Sequence, residues 1–130
     1  MRHRWCVTGL VAVWLLTVPA LHAHHSVSGQ FDLNKPIVLK GVISKVDWIN
    51  PHVYLHLDVK EPDGTTTRWA LSTLPTAMMR RAGLTKESIS GAEGEVVTVD
   101  AIPARDGTKH LGWINKITYA DGHTFAPTGQ

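Results

Sequence analysis

The chain has 130 residues, with 13 lysines and arginines against 11 aspartates and glutamates, 8 histidines and a single cysteine. That length supports one hydrophobic core and makes no case for two domains. A near balance of charge gives no basic bias toward nucleic acid or anionic lipid, and one cysteine excludes an internal disulfide framework.

The first 23 residues read as a cleavable secretory signal: Arg2, His3 and Arg4 form a basic start, Cys6 to Val18 an apolar run, then come Pro19 and small residues. About a dozen apolar residues fall short of the roughly 20 that span a bilayer, so no stable membrane anchor is expected after cleavage. Leu21 and Ala23 favour a cut after Ala23, with Ala20 as the rival position. Removing residues 1–23 discards Arg2, Arg4 and Cys6 and leaves a thiol-free chain with as many acidic as basic side chains, in a periplasmic or secreted compartment. Residues 24–36 follow as a flexible, poorly ordered polar arm, with only Val27, Phe31 and Leu33 as apolar anchors, and residues 127–130 form a tail.

The domain proper spans residues 37–126. β-Branched residues predict a first strand over 37–48, with Gly41 as the expected bend or bulge, ended by Asn50-Pro51. The second strand is the clearest, because Val53, Leu55, Leu57 and Val59 alternate with His52, Tyr54, His56, Asp58 and Lys60. Asp63-Gly64 then turns the chain into a third strand over 66–72 carrying Trp69 and Leu71. Helix signals are confined to 73–89: Pro75 suits a first turn, 77–82 favours helix, Gly83 can end it, and Thr85 can cap a second turn at 86–88 with Leu84 and Ile89 as its staple. Strands resume over 95–102 and 111–119, joined across Asp106-Gly107, and Asp121-Gly122 leads to a short last strand at 123–125. An all-β chain with one short helical segment, ordered three strands, helix, two strands, predicts an OB-like five-stranded barrel, with an open β-sandwich as the alternative.

His24-His25-Ser26, Phe31-Asp32, Lys35-Pro36, Leu39-Lys40-Gly41 and Trp48-x-Asn50-Pro51-His52-Val53 together resemble a bacterial family of small exported proteins known only as a domain of unknown function. Trp69-Ala70-Leu71, Arg80-Arg81 and Pro103-Ala104-x-Asp106-Gly107 extend the resemblance along the whole mature chain. It implies an exported β-rich domain and carries over no activity and no catalytic residue.

Two groups of residues carry chemistry. Cleavage after Ala23 makes His24 the first residue, and its α-amine and ring nitrogen then chelate one metal together, with His25 or a ring from the barrel completing a nitrogen-rich site suited to Cu(II). Reference pKa values of about 7.7 for the amine and about 6.5 for imidazole mean that little proton loss opposes binding. The competing reading is a polar, accessible cleavage junction. The second group is the wet face of the second strand, where His52, Tyr54 and His56, flanked by Trp48 and by Arg68 or Ala70 from the third strand, form a surface for a small ligand. His52 and His56 lie about 13 Å apart along the strand, too far to chelate one ion as a pair. An ordinary half-exposed strand is the competing reading there.

Nucleophile-elbow serines, phosphate-binding glycine loops and His-Glu-x-x-His pairs are missing from the sequence. The chain therefore reads as an uncharacterised exported binding or accessory module, non-catalytic, serving an unknown small ligand or exported partner protein. A copper-binding protein is the first alternative and a copper-dependent oxidoreductase the second.

Overall fold

The structure is a computed structural model and describes residues 26–127. The expected leader, His24 and His25, and positions 128–130 lie outside the described residues. Among the described residues, six strands and three short helices follow in chain order: α1 (Val27–Gln30), β1 (Ile37–Trp48), β2 (Val53–Lys60), β3 (Thr66–Ser72), α2 (Thr76–Arg81), α3 (Lys86–Ser90), β4 (Val96–Pro103), β5 (Leu111–Thr118) and β6 (Thr124–Phe125). β1 pairs antiparallel with β2 and β4, β2 with β3, and β4 with β5, while a parallel pairing of β3 with β5 closes the ring. The result is the OB-like five-stranded barrel, and β6 extends β5 outside the ring. α2 and α3 form in the expected helical segment, the second turn running on to Ser90, and α1 in the arm is the one helix the sequence reading did not include.

The interior is aliphatic. Ile43, Leu55, Leu57, Leu71, Val99 and Ile117 are fully buried, and Met79 of α2 and Ile89 of α3 join the same core. Burying each such side chain stabilises the barrel by about 1.5–3 kcal/mol before entropy is counted.

The strand phase of β1 changes once, and that change shapes the outer surface. Gly41 and Ile43 point inward, then Ser44 is an extra residue in the ladder, after which Val46 and Trp48 pack inward while Lys45 and Asp47 face out. The bulge therefore sits at Ser44 and not at Gly41. Gly41 instead permits a close approach between strands. Paired with both Val59 and Val97, it lies so near the Asp58 backbone carbonyl that any Cβ would collide with it.

A second register shift falls in β5, where Asn115 is passed over between the pairs Lys116 with Asp100 and Ile114 with Ala101. One extra residue reverses the alternation. Ile117 and Ile114 both face the core, and Trp113 is turned to the outside of the barrel beside Ile102.

Trp113 is nonetheless buried, because the arm covers it. Phe31 is only 4% exposed and packs with Ile102 and Trp113, joined by Val27, Leu74 and Leu111. Backbone bonds hold the arm there: Asp32 N–H donates to the Pro103 carbonyl (2.9 Å), and Arg105 N–H donates to the Gln30 carbonyl (2.8 Å). Of the three expected anchors, Val27 and Phe31 pack as described, whereas Leu33 is 52% exposed.

Local signals explain the helix ends. Gly83 takes a left-handed backbone (φ 85°), so that Gly83 N–H reaches the Arg80 carbonyl and Leu84 N–H the Met79 carbonyl, closing α2. Thr85 and Ser88 exchange hydrogen bonds across the first turn of α3 as a capping box.

Candidate functional site

The β1–β2 loop places His52 at the mouth of β2. Thr76 Oγ1 donates to Asn50 Oδ1 (2.8 Å), which ties this loop, with its cis Asn50-Pro51 bond, to the start of α2. The imidazole Nδ1 of His52 lies 2.8 Å from the Thr73 carbonyl oxygen. A carbonyl only accepts, so Nδ1 carries the proton, and the neutral tautomer that makes this bond has its lone pair on Nε2. Among the described residues no group bonds Nε2. The ring stands edge-on to Trp113, 6.0 Å between centroids, and Phe31 approaches the same indole at 5.9 Å.

Four residues further along β2 the environment is ionic. His56 Nε2–H donates to Asp47 Oδ2 (2.7 Å), and Lys45 Nζ holds Asp47 Oδ1 (2.6 Å). The Lys45 ammonium, followed by the His56 ring, keeps the Asp47 carboxyl below its ordinary range. Both partners reach Asp47 because the Ser44 bulge turns Lys45 and Asp47 outward together. Ser44 itself donates to Asp58 Oδ1 (3.1 Å).

Arg68 does not flank Tyr54. The ladder pairs Tyr54 with Ser72, His56 with Ala70 and Asp58 with Arg68, so the arginine stands four pairs away along the strand. Its guanidinium grips both oxygens of Asp58, Nε at 2.6 Å and Nη2 at 2.8 Å, which lowers the Asp58 pKa and raises that of Arg68. The expected mixed surface of Tyr54 and Arg68 is therefore not brought together; Tyr54 instead shares its row with Asp47 and Ser72.

Trp48 packs on the main core, with the Arg80 guanidinium 5.9 Å from its ring centre. Its indole Nε1 is buried without a partner among the described residues. The packing reading of Trp48 fits this position better than a bare stacking platform. Two further histidines lie against aromatic rings: His110 edge-on to Trp69 at 5.4 Å, and His123 stacked on Tyr119 at 4.0 Å.

Sequence reasoning missed the contributions of Phe31, Thr73 and Trp113 to the His52 corner. Thr73 acts through its backbone carbonyl, which every residue has, and Trp113 turns outward only because of the Asn115 bulge. A phase change in the alternation of β5 was the one signal available. Among the described residues no three histidines, cysteines or carboxylates converge as a metal site, and no helix is long and apolar enough to cross a membrane.

Barrel and outer face together define a small OB-type domain whose N-terminal segment is docked over its own wall. The chain belongs to the Family of unknown function (DUF6152), whose model matches residues 12–114, from the apolar run through the His52 corner to Trp113 and Ile114. No curated protein and no solved structure matches it.

Proposed function

We propose that the chain is an exported, non-catalytic binding module that works in the periplasm or outside the cell and takes its ligand at the His52 corner. The observation that carries this reading is the fixed ring of His52: Thr73 holds Nδ1 at 2.8 Å and leaves Nε2 as a positioned acceptor beside Trp113. A ring held through one nitrogen offers the other at little cost in side-chain entropy. On the same outer face, Tyr54 adds a half-buried phenol next to Ser72, while Lys45 with His56 holds the Asp47 carboxylate and Arg68 holds that of Asp58. The ligand class is a small molecule, ion or exported partner that meets an imidazole lone pair.

Export and binding are tested separately. Expressed with its own leader, the protein is expected in the periplasmic fraction with the leader removed, as read by mass spectrometry; an intact leader on cytosolic protein overturns export. In a screen of metal ions and small polar ligands followed by amide NMR shifts, perturbations are expected around His52, Thr73 and Trp113. Perturbations confined to other faces overturn the site.

A further inference from the structure

Away from the His52 corner, a recess lies between α3 and the turn from β5 to β6. Its volume is about 470 Å³, within the roughly 300–1,000 Å³ of small-molecule sites, and Leu84, Glu87, Ala92, Glu95, Tyr119 and His123 stand in its wall. Local sequence builds both sides. The Thr85 and Ser88 capping box starts α3 and carries Glu87 in its first turn. Gly122, with φ 90°, turns the chain so that His123 comes back over Tyr119. Tyr119 N–H donates to the His123 carbonyl (3.0 Å), the two rings stack 4.0 Å apart, and Asp121 holds His123 Nδ1. The phenol ring is thereby fixed in place.

Two observations of different kinds meet in this recess. Tyr119 is only 8% exposed, yet its hydroxyl makes no hydrogen bond to any described residue. Polar groups buried to that degree are nearly always bonded. Burial first, and then the charge of the nearby Glu95, push the phenol above its ordinary pKa. The second observation is charge: Glu87 and Glu95 both line the recess, and among the described residues neither makes an ion pair. Lys86 and Arg80 act on Glu87 only at a distance, and His123 is engaged by Asp121. A carboxylate accepts hydrogen bonds only, and a phenol oxygen has lone pairs to accept with. A ligand that serves both is a cation rich in N–H donors, and an ammonium group offers three donors and no acceptor.

We propose that this recess binds a primary organic ammonium, whose N–H groups donate to Tyr119 Oη and to the Glu95 carboxylate, with its alkyl stem against Leu84 and Ala92. Glu87, exposed at the rim, adds negative potential at the entrance. No bond is made or broken on binding. The recess shares no residue with the His52 corner, so either site stands if the other falls.

The test titrates the whole protein with n-butylammonium chloride, followed by amide NMR shifts, with n-butanol and butyrate as neutral and anionic counterparts. Saturable shifts are expected at Ala92, Glu95, Tyr119 and His123 with the ammonium alone. Glu95→Gln, which keeps the shape and removes the charge, is expected to weaken binding about fivefold. Tyr119→Phe, which keeps the ring on His123 and removes the hydroxyl, is expected to weaken it about threefold. Glu61→Gln, the same change of charge outside the recess, is expected to leave it unaltered. Acetyl-lysine amide separates two sources of the group: tighter binding than n-butylammonium assigns the site to a lysine side chain of a protein, weaker binding to a free amine, and both uphold it.

The proposal is overturned by shifts that do not saturate, by n-butanol or butyrate binding as well as the ammonium, by Ca(II) moving the same signals at lower concentration, or by unchanged affinity in both Glu95→Gln and Tyr119→Phe. Should Glu95→Gln misfold, the wild type decides through nuclear Overhauser contacts. The stem protons of the ammonium must reach Tyr119 and Ala92, and contacts confined to other residues overturn the assignment.

Discussion

His52, immediately before β2, and His56, within it, are spaced to share one outer face, yet they sit in opposite surroundings. At His52 the neighbours are a backbone carbonyl and an indole, and one ring nitrogen stays uncommitted. At His56 the partner is Asp47, itself held by Lys45, and Ser44 links the next residue of the face, Asp58, to the same strand. The contrast teaches that alternation assigns a face but not a chemistry. Two bulges, at Ser44 and at Asn115, decide what each histidine meets.

The largest effect separating the two regions is expected from Phe31→Ala. Phe31 is 4% exposed within the small outer cluster, and its truncation is expected to cost about 3 kcal/mol, the low end for a buried phenylalanine because the site lies at the barrel's outside. Denaturant unfolding measures the loss, and limited proteolysis is expected to cut between Ser26 and Lys35 in the variant only. The Lys45, Asp47 and His56 signals should be unmoved. A cost well below 1 kcal/mol would mean that the arm is not part of the fold and that the His52 corner has no apolar wall.

Much of this was legible in the sequence, and the remainder has physical reasons for being hidden. β1 and β3 fall where their β-branched and alternating residues place them, and Thr85, Gly83 and the Leu84 and Ile89 pair mark the helix ends correctly. The Ser44 bulge was present as a switch from odd to even inward positions between Ile43 and Val46, although Gly41 drew the expectation. Strand register was not legible: the Glu61–Thr65 connection sets it, and a shift of two positions separates Tyr54 facing Ser72 from Tyr54 facing Ala70, and a shift of four from Tyr54 facing Arg68. Phe31 on Trp113 is a contact between distant parts of the chain that depends on a bulge, and the bond from His52 goes to a backbone atom without sequence identity.

A smaller effect is expected on the ionic side from Arg68→Ala. The pair is partly hydrated, with side-chain exposures of 62% and 26%, so its loss is expected to lower stability at neutral pH by much less than the loss of Phe31. The sign with pH follows from Asp58, whose carboxyl Arg68 holds below its ordinary value. A depressed carboxyl contributes stability that is complete above the unfolded pKa, about 3.9, and is lost as pH falls through the folded value. The gap between wild type and Arg68→Ala should therefore close on acidification, as measured by denaturant midpoints from about pH 7 down to about pH 2. A gap that persists in acid would assign the arginine's contribution to packing of its aliphatic stem.

The finest distinction lies within the Asp47 triad. Lys45 is the larger cause of the lowered Asp47 pKa and His56 the second. Removing Lys45 with Lys45→Ala is thus expected to raise the Asp47 titration further toward the ordinary carboxylate range than His56→Ala does, with little change in overall stability, followed by carbon NMR of the carboxyl. The reverse order would make the histidine the principal partner of Asp47, and the His56 end of the strand would then be a matched imidazole–carboxylate pair with Lys45 as a bystander.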